Sequence, residues 1–329
     1  MDNKVKNILK YIFWTAVAVV LVWFCVKSID WKEFLRALQM CKWEYVIASF
    51  LTGCVFIAVR GLRWHMLIKP IAASISEKNV INAYGIGFVA NMVLPRLGEV
   101  VKIGYVVKNA GTDKDGKKRL TWDAAIGTYL AEKGIDAIVL ATLSMIFLVG
   151  TWNKMKDTMD FHMAVKIAWA VGVLGVSAFA IIILSYIFRS RWGFLHRLWD
   201  FITGIGRGIM SVGKLEKPWL FILYTISIWV SFWLTSAFIV WALKDIEPFT
   251  ALTGANAFDL TVAGSLSTLI PVPGGFGAFH GAVATVMQAI YGIPMGSGMI
   301  YATLNHETQL LAQAVTGLWC YVSQTFFRR

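Results

Sequence analysis

Apolar residues in this chain come in long blocks separated by short charged stretches, not in alternation or in stripes with one polar face. Such blocks run from Ile8 to Val26, Ile167 to Phe188, Trp219 to Leu243 and Thr308 to Phe327. A helix needs about 20 predominantly apolar residues to cross a hydrocarbon core, so each block predicts a membrane span. Two more spans are predicted, from Glu44 to about Arg63 and from Ala124 to Gly150, the latter carrying Glu132, Lys133 and Asp136. The fold class read from this pattern is an all-α integral membrane protein of about six transmembrane helices.

Two further apolar stretches, Val80 to Leu94 and Ala251 to Ile290, are ended or interrupted by proline and glycine. The breaks read Leu94-Pro95-Arg96-Leu97-Gly98-Glu99 and Pro271-Val272-Pro273-Gly274-Gly275-Phe276-Gly277. Proline removes a backbone donor and glycine widens the accessible dihedrals. In hydrocarbon the freed backbone groups must find partners, so such breaks persist only within protein or beside a water-filled cavity. Both stretches are predicted to be re-entrant helical hairpins.

Composition sharpens this picture. The 329 residues are 57% hydrophobic and 15% charged, and mean hydropathy is +0.63, too apolar for an ordinary soluble domain. The net charge of +12 is gathered in short stretches between apolar blocks, which argues for membrane topology and against nucleic acid. Lys4, Lys6 and Lys10, then Arg60, Arg63, His65 and Lys69, then Lys102, Lys108 and the run Lys114 to Arg119, place the N-terminus and both flanks of the first hairpin in the cytoplasm. The stretch Arg189 to Lys217 and the ending Arg328-Arg329 are basic as well, whereas Thr151 to His162 and Lys244 to Pro248 are nearly balanced and are expected outside. Lys27 to Lys42, also placed outside, carries Trp31, Phe34, Leu35 and Leu38 at the spacing of an amphipathic surface helix. Lys27 follows the first block without a small-residue cleavage site, so a retained helix is expected rather than a signal peptide. Cys25, Cys41, Cys54 and Cys320 have neither disulfide nor metal-ligand spacing.

With that orientation each half reads as two spans, a hairpin and a span, the halves being inverted in the membrane. They fall at approximately 1–150 and 160–329 of one transmembrane domain. Pro95 precedes Glu132 by about 37 residues and Pro273 precedes Glu307 by about 34, so each break is followed by an acid that could frame a midplane site. Glu132 and Asp136, one turn apart, share a helix face, and carboxylates within a span face a cavity or a cationic partner. Pairing of Glu132 with Arg63, Arg96 or Lys133 as a static brace is the competing reading. Arg60, Arg63, Arg96 and Lys102, with Asn91, Pro95, Gly98 and Glu99 around the break, suit a lipid phosphate or, alternatively, a snorkelling interface. Around the second break, Pro273, Gly274, Gly275 and Gly277 can offer backbone groups to an ion, and Asp259, His280, His306 and Glu307 lie near it in sequence. The histidines could titrate or simply satisfy local hydrogen bonds. G-x-S-x-G, H-E-x-x-H and Walker motifs are absent, and Asn305-His306-Glu307 has no second histidine at metal-ligand spacing. No catalytic residue, metal or cofactor is expected.

Four of these places carry a resemblance: Arg60-Gly61-Leu62-Arg63-Trp64, Asn91 through Lys102, Glu132-Lys133-Gly134-Ile135-Asp136 and Pro271 through His280. In this order and spacing, over nearly the whole chain, they resemble the membrane domain of bacterial lysylphosphatidylglycerol synthase/flippase proteins, the multiple peptide resistance factors, and their stand-alone relatives. Lys102 and Lys133 stand where relatives often have Arg, which keeps the charge but loses the bidentate fork, and His280 stands where an acid is common. The resemblance implies movement of a phospholipid or lipid-linked headgroup between leaflets, by a non-enzymatic route through a central polar cavity. Its partners would be membrane lipids and their phosphates, with a homo-oligomer and a separate lipid-modifying enzyme left open. Its place would be the inner (cytoplasmic) cell membrane, multi-pass, with both termini cytoplasmic. A membrane enzyme acting on a lipid-linked substrate, or a non-transporting scaffold of envelope biogenesis, is the alternative.

Overall fold

The computed structural model describes residues 31–112, 120–158, 180–181, 183–196, 199, 203, 212–213 and 215–326. The expected span Ile8 to Val26 and the basic run Lys114 to Arg119 lie outside the described residues, as does most of Ile167 to Phe188, whose described end at 183–188 is helical. Among the described residues the extended elements are all helices. They are α1 (Trp31–Met40), α2 (Trp43–Ile68), α3 (Glu77–Val93), α4 (Leu97–Asn109), α5 (Trp122–Thr158), α6 (Pro218–Ala242), α7 (Asn256–Ser267), α8 (Ala278–Tyr291) and α9 (Met295–Phe326), with short 3-10 turns at Phe249–Ala251 and Pro273–Gly275. The chain forms two compact units, Met1–Trp122 with Trp219–Arg329, and Asp123–Pro218.

In the first unit α2 and α6 run antiparallel. The Lys42 amide donates to the Ala242 carbonyl at 3.0 Å and the Ser49 hydroxyl to the Thr235 carbonyl at 3.0 Å, while at the other end Arg63 reaches the Thr225 hydroxyl at 3.4 Å. Lys42 and Asp245 pair at 2.6 Å, and that carboxylate raises the pKa of the Lys42 ammonium. The two connections placed outside by charge thus meet at one end of the unit. The amphipathic helix is α1: Phe34, Ala37 and Leu38 pack on the core beside Val240, Leu243 and Leu260, while Trp31 and Leu35 stay exposed.

A helical hairpin follows each of these two helices. The first consists of α3 and α4. Ser76 caps α3 by accepting the Asn79 amide, and Leu94 is extended, as a residue before proline prefers. The base of this hairpin is clasped by the Ser74 hydroxyl on the Ala110 carbonyl at 2.9 Å. The second consists of α7 and α8, clasped at its base by the Tyr291 hydroxyl on the Asp259 carboxylate. Since one hairpin leaves the end of α2 and the other the end of the antiparallel α6, they point into the unit from opposite ends.

Helix α9 packs against α2, α3 and α8 and links the two hairpins. Small residues permit this: a Cβ at Gly53 would stand 2.8 Å from the Ala312 Cβ, and one at Gly85 2.7 Å from the Cys320 sulfur. The expected span Thr308 to Phe327 is its second half, and the helix begins earlier, at Met295, spanning 32 residues. Three described helices, Trp43–Ile68, Trp122–Trp152 and Pro218–Ala242, are long and apolar enough to cross a membrane. Helix α9 is not among them, because it carries polar residues, two of which bond α6: the Tyr301 hydroxyl donates to the Ser236 carbonyl at 2.9 Å and Asn305 to the Ser236 hydroxyl at 3.2 Å, while Gln309 donates to Asn305 within α9 at 2.7 Å. The outer faces are apolar, with Ile47, Leu51 and Val55 of α2, Ile222 and Ile226 of α6, and Leu311, Leu318 and Trp319 of α9 exposed. A face of that kind is stable in lipid and a liability in water.

The second unit is described through α5, 37 residues long, and parts of the region beyond 180. Ile138, Met145, Ile146 and Val149 of α5 are exposed, so this helix too presents an apolar surface.

Candidate functional site

The first break has an unusual backbone. Arg96 lies in the left-handed region at φ 62°, the one described non-glycine residue that does so, and immediately precedes α4. That conformation costs an L-residue roughly 1–2 kcal/mol. Its side chain is exposed at the tip. The turn is fixed from within the hairpin: the Asn91 side chain accepts the Gly98 amide at 2.7 Å, and a Cβ at Gly98 would run into the Gly87 carbonyl oxygen. Asn91, Pro95 and Gly98 therefore shape the tip, and none of them needs to touch a ligand to be required.

One turn into α4, Lys102 is 3% exposed. Its ammonium sits 3.2 Å from the Glu99 carboxylate, 4.1 Å from the centre of the Tyr84 ring and 5.1 Å from that of Trp64. Trp64 and Tyr84 meet edge to face at 5.6 Å. Two aromatic faces and one carboxylate thus hold a buried cation, an arrangement whose cation–π part alone is worth about 0.5–2 kcal/mol. Of the other cations, Arg63, fully buried, lies by the Thr225 hydroxyl and 5.8 Å over the Phe221 ring, and Arg60 lies 5.2 Å over Phe56.

At the second break, Gly274, Gly275 and Gly277 all take positive φ, at 59°, 77° and 79°. For Gly275 the close approach of α9 is a second reason for glycine: a Cβ there would stand 3.3 Å from His306 Nε2, a nitrogen that lies 3.0 Å from the Gly274 carbonyl oxygen. Around this contact the rings of Phe276, Phe279, His280 and His306 pack together, the two imidazoles 4.8 Å apart. Glu307 lies 3.2 Å from His306 Nδ1 and 3.7 Å from His280 Nε2. The structure therefore gathers Gly274, His280, His306 and Glu307 into one cluster. Asp259 does not join it; it sits in the first turn of α7, at the opposite end of that helix from the break, paired with Tyr291.

The second break packs against the first hairpin. The Pro273–Gly275 turn packs against α3, and helix geometry agrees. From the Gly85–Gly317 contact, α3 rises to Val93 over about 12 Å and α9 rises to His306 over about 16 Å. The two tips thus reach similar depth part-way along α9.

In the second unit Glu132 is completely buried and Asp136, a turn later, is half-buried. Lys133 between them stands 5.7 Å over the Tyr129 ring. The aromatic partners Trp64, Tyr84, Phe221 and Tyr129 are what sequence reasoning missed. Trp64 belongs to the Arg60-to-Trp64 motif, but Tyr84 has no local signal, since its role comes from facing another helix.

The family model for the lysylphosphatidylglycerol synthase transmembrane region matches residues 11–317. No curated protein and no solved structure matches the chain.

Proposed function

The chain belongs to the lysylphosphatidylglycerol synthase transmembrane-region family, a membrane domain linked to lipid headgroups, and on that premise we propose that it moves phospholipid headgroups between leaflets. The observation that carries the reading is the packing of the second helix break against the first hairpin, the two hairpins pointing in from opposite ends, beside a polar stretch of α9. Irregular backbone at membrane depth is stable only against protein or a wet cavity, so paired breaks favour a polar route through the apolar layer. The hairpins are then re-entrant, the halves form an inverted repeat in the cell membrane, and both termini face the cytoplasm. The headgroup phosphate meets Arg96 at the tip and Arg60, Arg63 and Lys102 below it, and the acyl tails stay in lipid; Glu132 and Asp136 are acids that the second unit offers to the same function. An inside-negative potential assists outward movement of a net anion by about 2.3 kcal/mol per charge per 100 mV and opposes export of a net cation.

A membrane enzyme would need its acid, base and substrate atoms to converge on one point. Here the chemically capable groups divide between the Lys102 pocket and the His280–His306–Glu307 cluster, which supports a transport route and no catalytic step. The test is reconstitution into vesicles with labelled anionic and aminoacylated phospholipids, reading leaflet exchange and lipid composition together. Faster exchange with unchanged lipids supports the proposal; new lipid species without exchange would replace it with the enzyme reading.

A further inference from the structure

We propose that His280, His306 and Glu307 form a binding site for a zinc-class divalent metal ion at the tip of the second hairpin. The sequence separates His280 from the other two by a helix and a turn, but the fold brings one ligand atom from each within 4.8 Å of the others. Hydrogen-bond chemistry then constrains the protons. The Gly274 carbonyl can only accept, so His306 Nε2, 3.0 Å away, carries the hydrogen, and in the neutral ring Nδ1 keeps a bare lone pair. That lone pair faces a Glu307 carboxylate oxygen at 3.2 Å, and His280 Nε2 approaches the same oxygen at 3.7 Å. With His280 as its Nδ1–H tautomer its Nε2 lone pair joins the other two, and acceptors this close repel unless a positive centre stands among them. A proton bridges two of them; a metal ion serves all three.

The surroundings match a metal site in further respects. A ligating histidine commonly donates its other ring N–H to a backbone carbonyl, which fixes ring and tautomer, and His306 does this with Gly274. His280 is 4% exposed, and its Nδ1 is buried without a hydrogen-bond partner, so no competing bond commits that ring. Phe276 and Phe279 pack on both imidazoles and limit their rotation. Two nitrogens and one oxygen suit zinc-class ions over magnesium or calcium, which prefer all-oxygen shells. With metal–ligand bonds of about 2.0–2.1 Å, tetrahedral neighbours stand about 3.3 Å apart; the carboxylate contacts at 3.2 and 3.7 Å are near that spacing, and the widest pair, within 4.8 Å, would close by about 1.5 Å on binding. Three protein ligands leave a fourth position open. The Glu307 side chain, 44% exposed, gives that position access to solvent or a ligand. Bound metal would tie the second break to α9, independently of whether the protein moves lipid.

The test uses the full chain made without a histidine tag, stripped with chelator and titrated with cobalt(II), with zinc as competitor. One ion per chain is expected, with the visible spectrum of a low-symmetry nitrogen–oxygen site, displaced by zinc. His280→Ala and Glu307→Gln should each weaken binding at least tenfold, while His196→Ala should not. Glu307→Gln preserves shape and so controls for misfolding, and zinc should raise the melting temperature of the wild type but not of this variant. Absence of binding by the folded wild type, or binding that survives both substitutions, would overturn the proposal and leave the three groups sharing protons only.

Discussion

Arg96 holds a backbone conformation that glycine would adopt without strain. Arg96→Gly is therefore expected to leave thermal stability unchanged or raise it by up to about 1 kcal/mol, while lipid movement in vesicles falls at least tenfold. Loss of stability in detergent melting would mean that the side chain braces the fold instead. Lys102 is the opposite case, because its pocket is built around its charge. Lys102→Met should cost about 1–3 kcal/mol by leaving the buried Oε2 of the half-buried Glu99 beside a neutral group, measured by thermal unfolding. The sequence marked Arg96 within the P-R-x-G-E motif and Lys102 three residues beyond it, since a proline break and a charge inside an apolar block are local signals. It did not mark Tyr84, and it left His280 apart from His306, because those partnerships exist only across helices.

At the scale of elements, the hairpin breaks and the extent of α6 were legible because proline, glycine and apolar block length act locally, while α2 and α5 run on past the expected Arg63 and Gly150 to Ile68 and Thr158. Helix α9 departed further: Asn305, His306, Glu307 and Gln309 interrupt apolarity and hid its first half. Their cost is met by Ser236 of α6 and by the second break, which only the packed structure reveals. The seam between α3 and α9 is equally invisible in sequence, since Gly85 and Gly317 are far apart along the chain. A Cβ at Gly317 would run into Val89 and the Gly85 carbonyl. Gly317→Val should thus cost about 1–3 kcal/mol through overpacking, seen as a lower melting temperature and weaker lipid movement. An unchanged melting temperature would show that the seam is looser than described.

For the whole molecule, charge distribution placed Lys27 to Lys42 and Lys244 to Pro248 on one side, and the Lys42–Asp245 pair joins those two connections. In a variant lacking native cysteines, a cysteine at 245 should accept a membrane-impermeant thiol reagent from outside intact cells, and one at 74 only after permeabilisation. Labelling of both from outside would contradict the opposed hairpins. Glu132 was legible in the sequence as an acid at a fixed spacing after the first break. Its complete burial on a helix with an exposed apolar face marks it as a residue with work other than solvation. The most direct measurement is the rate of transbilayer movement of labelled anionic phospholipid in vesicles, comparing wild type with Glu132→Gln at matched protein density and matched folded fraction. The account predicts rapid movement for the wild type and at least a tenfold loss for the variant. Equal rates in wild-type, variant and protein-free vesicles would contradict it.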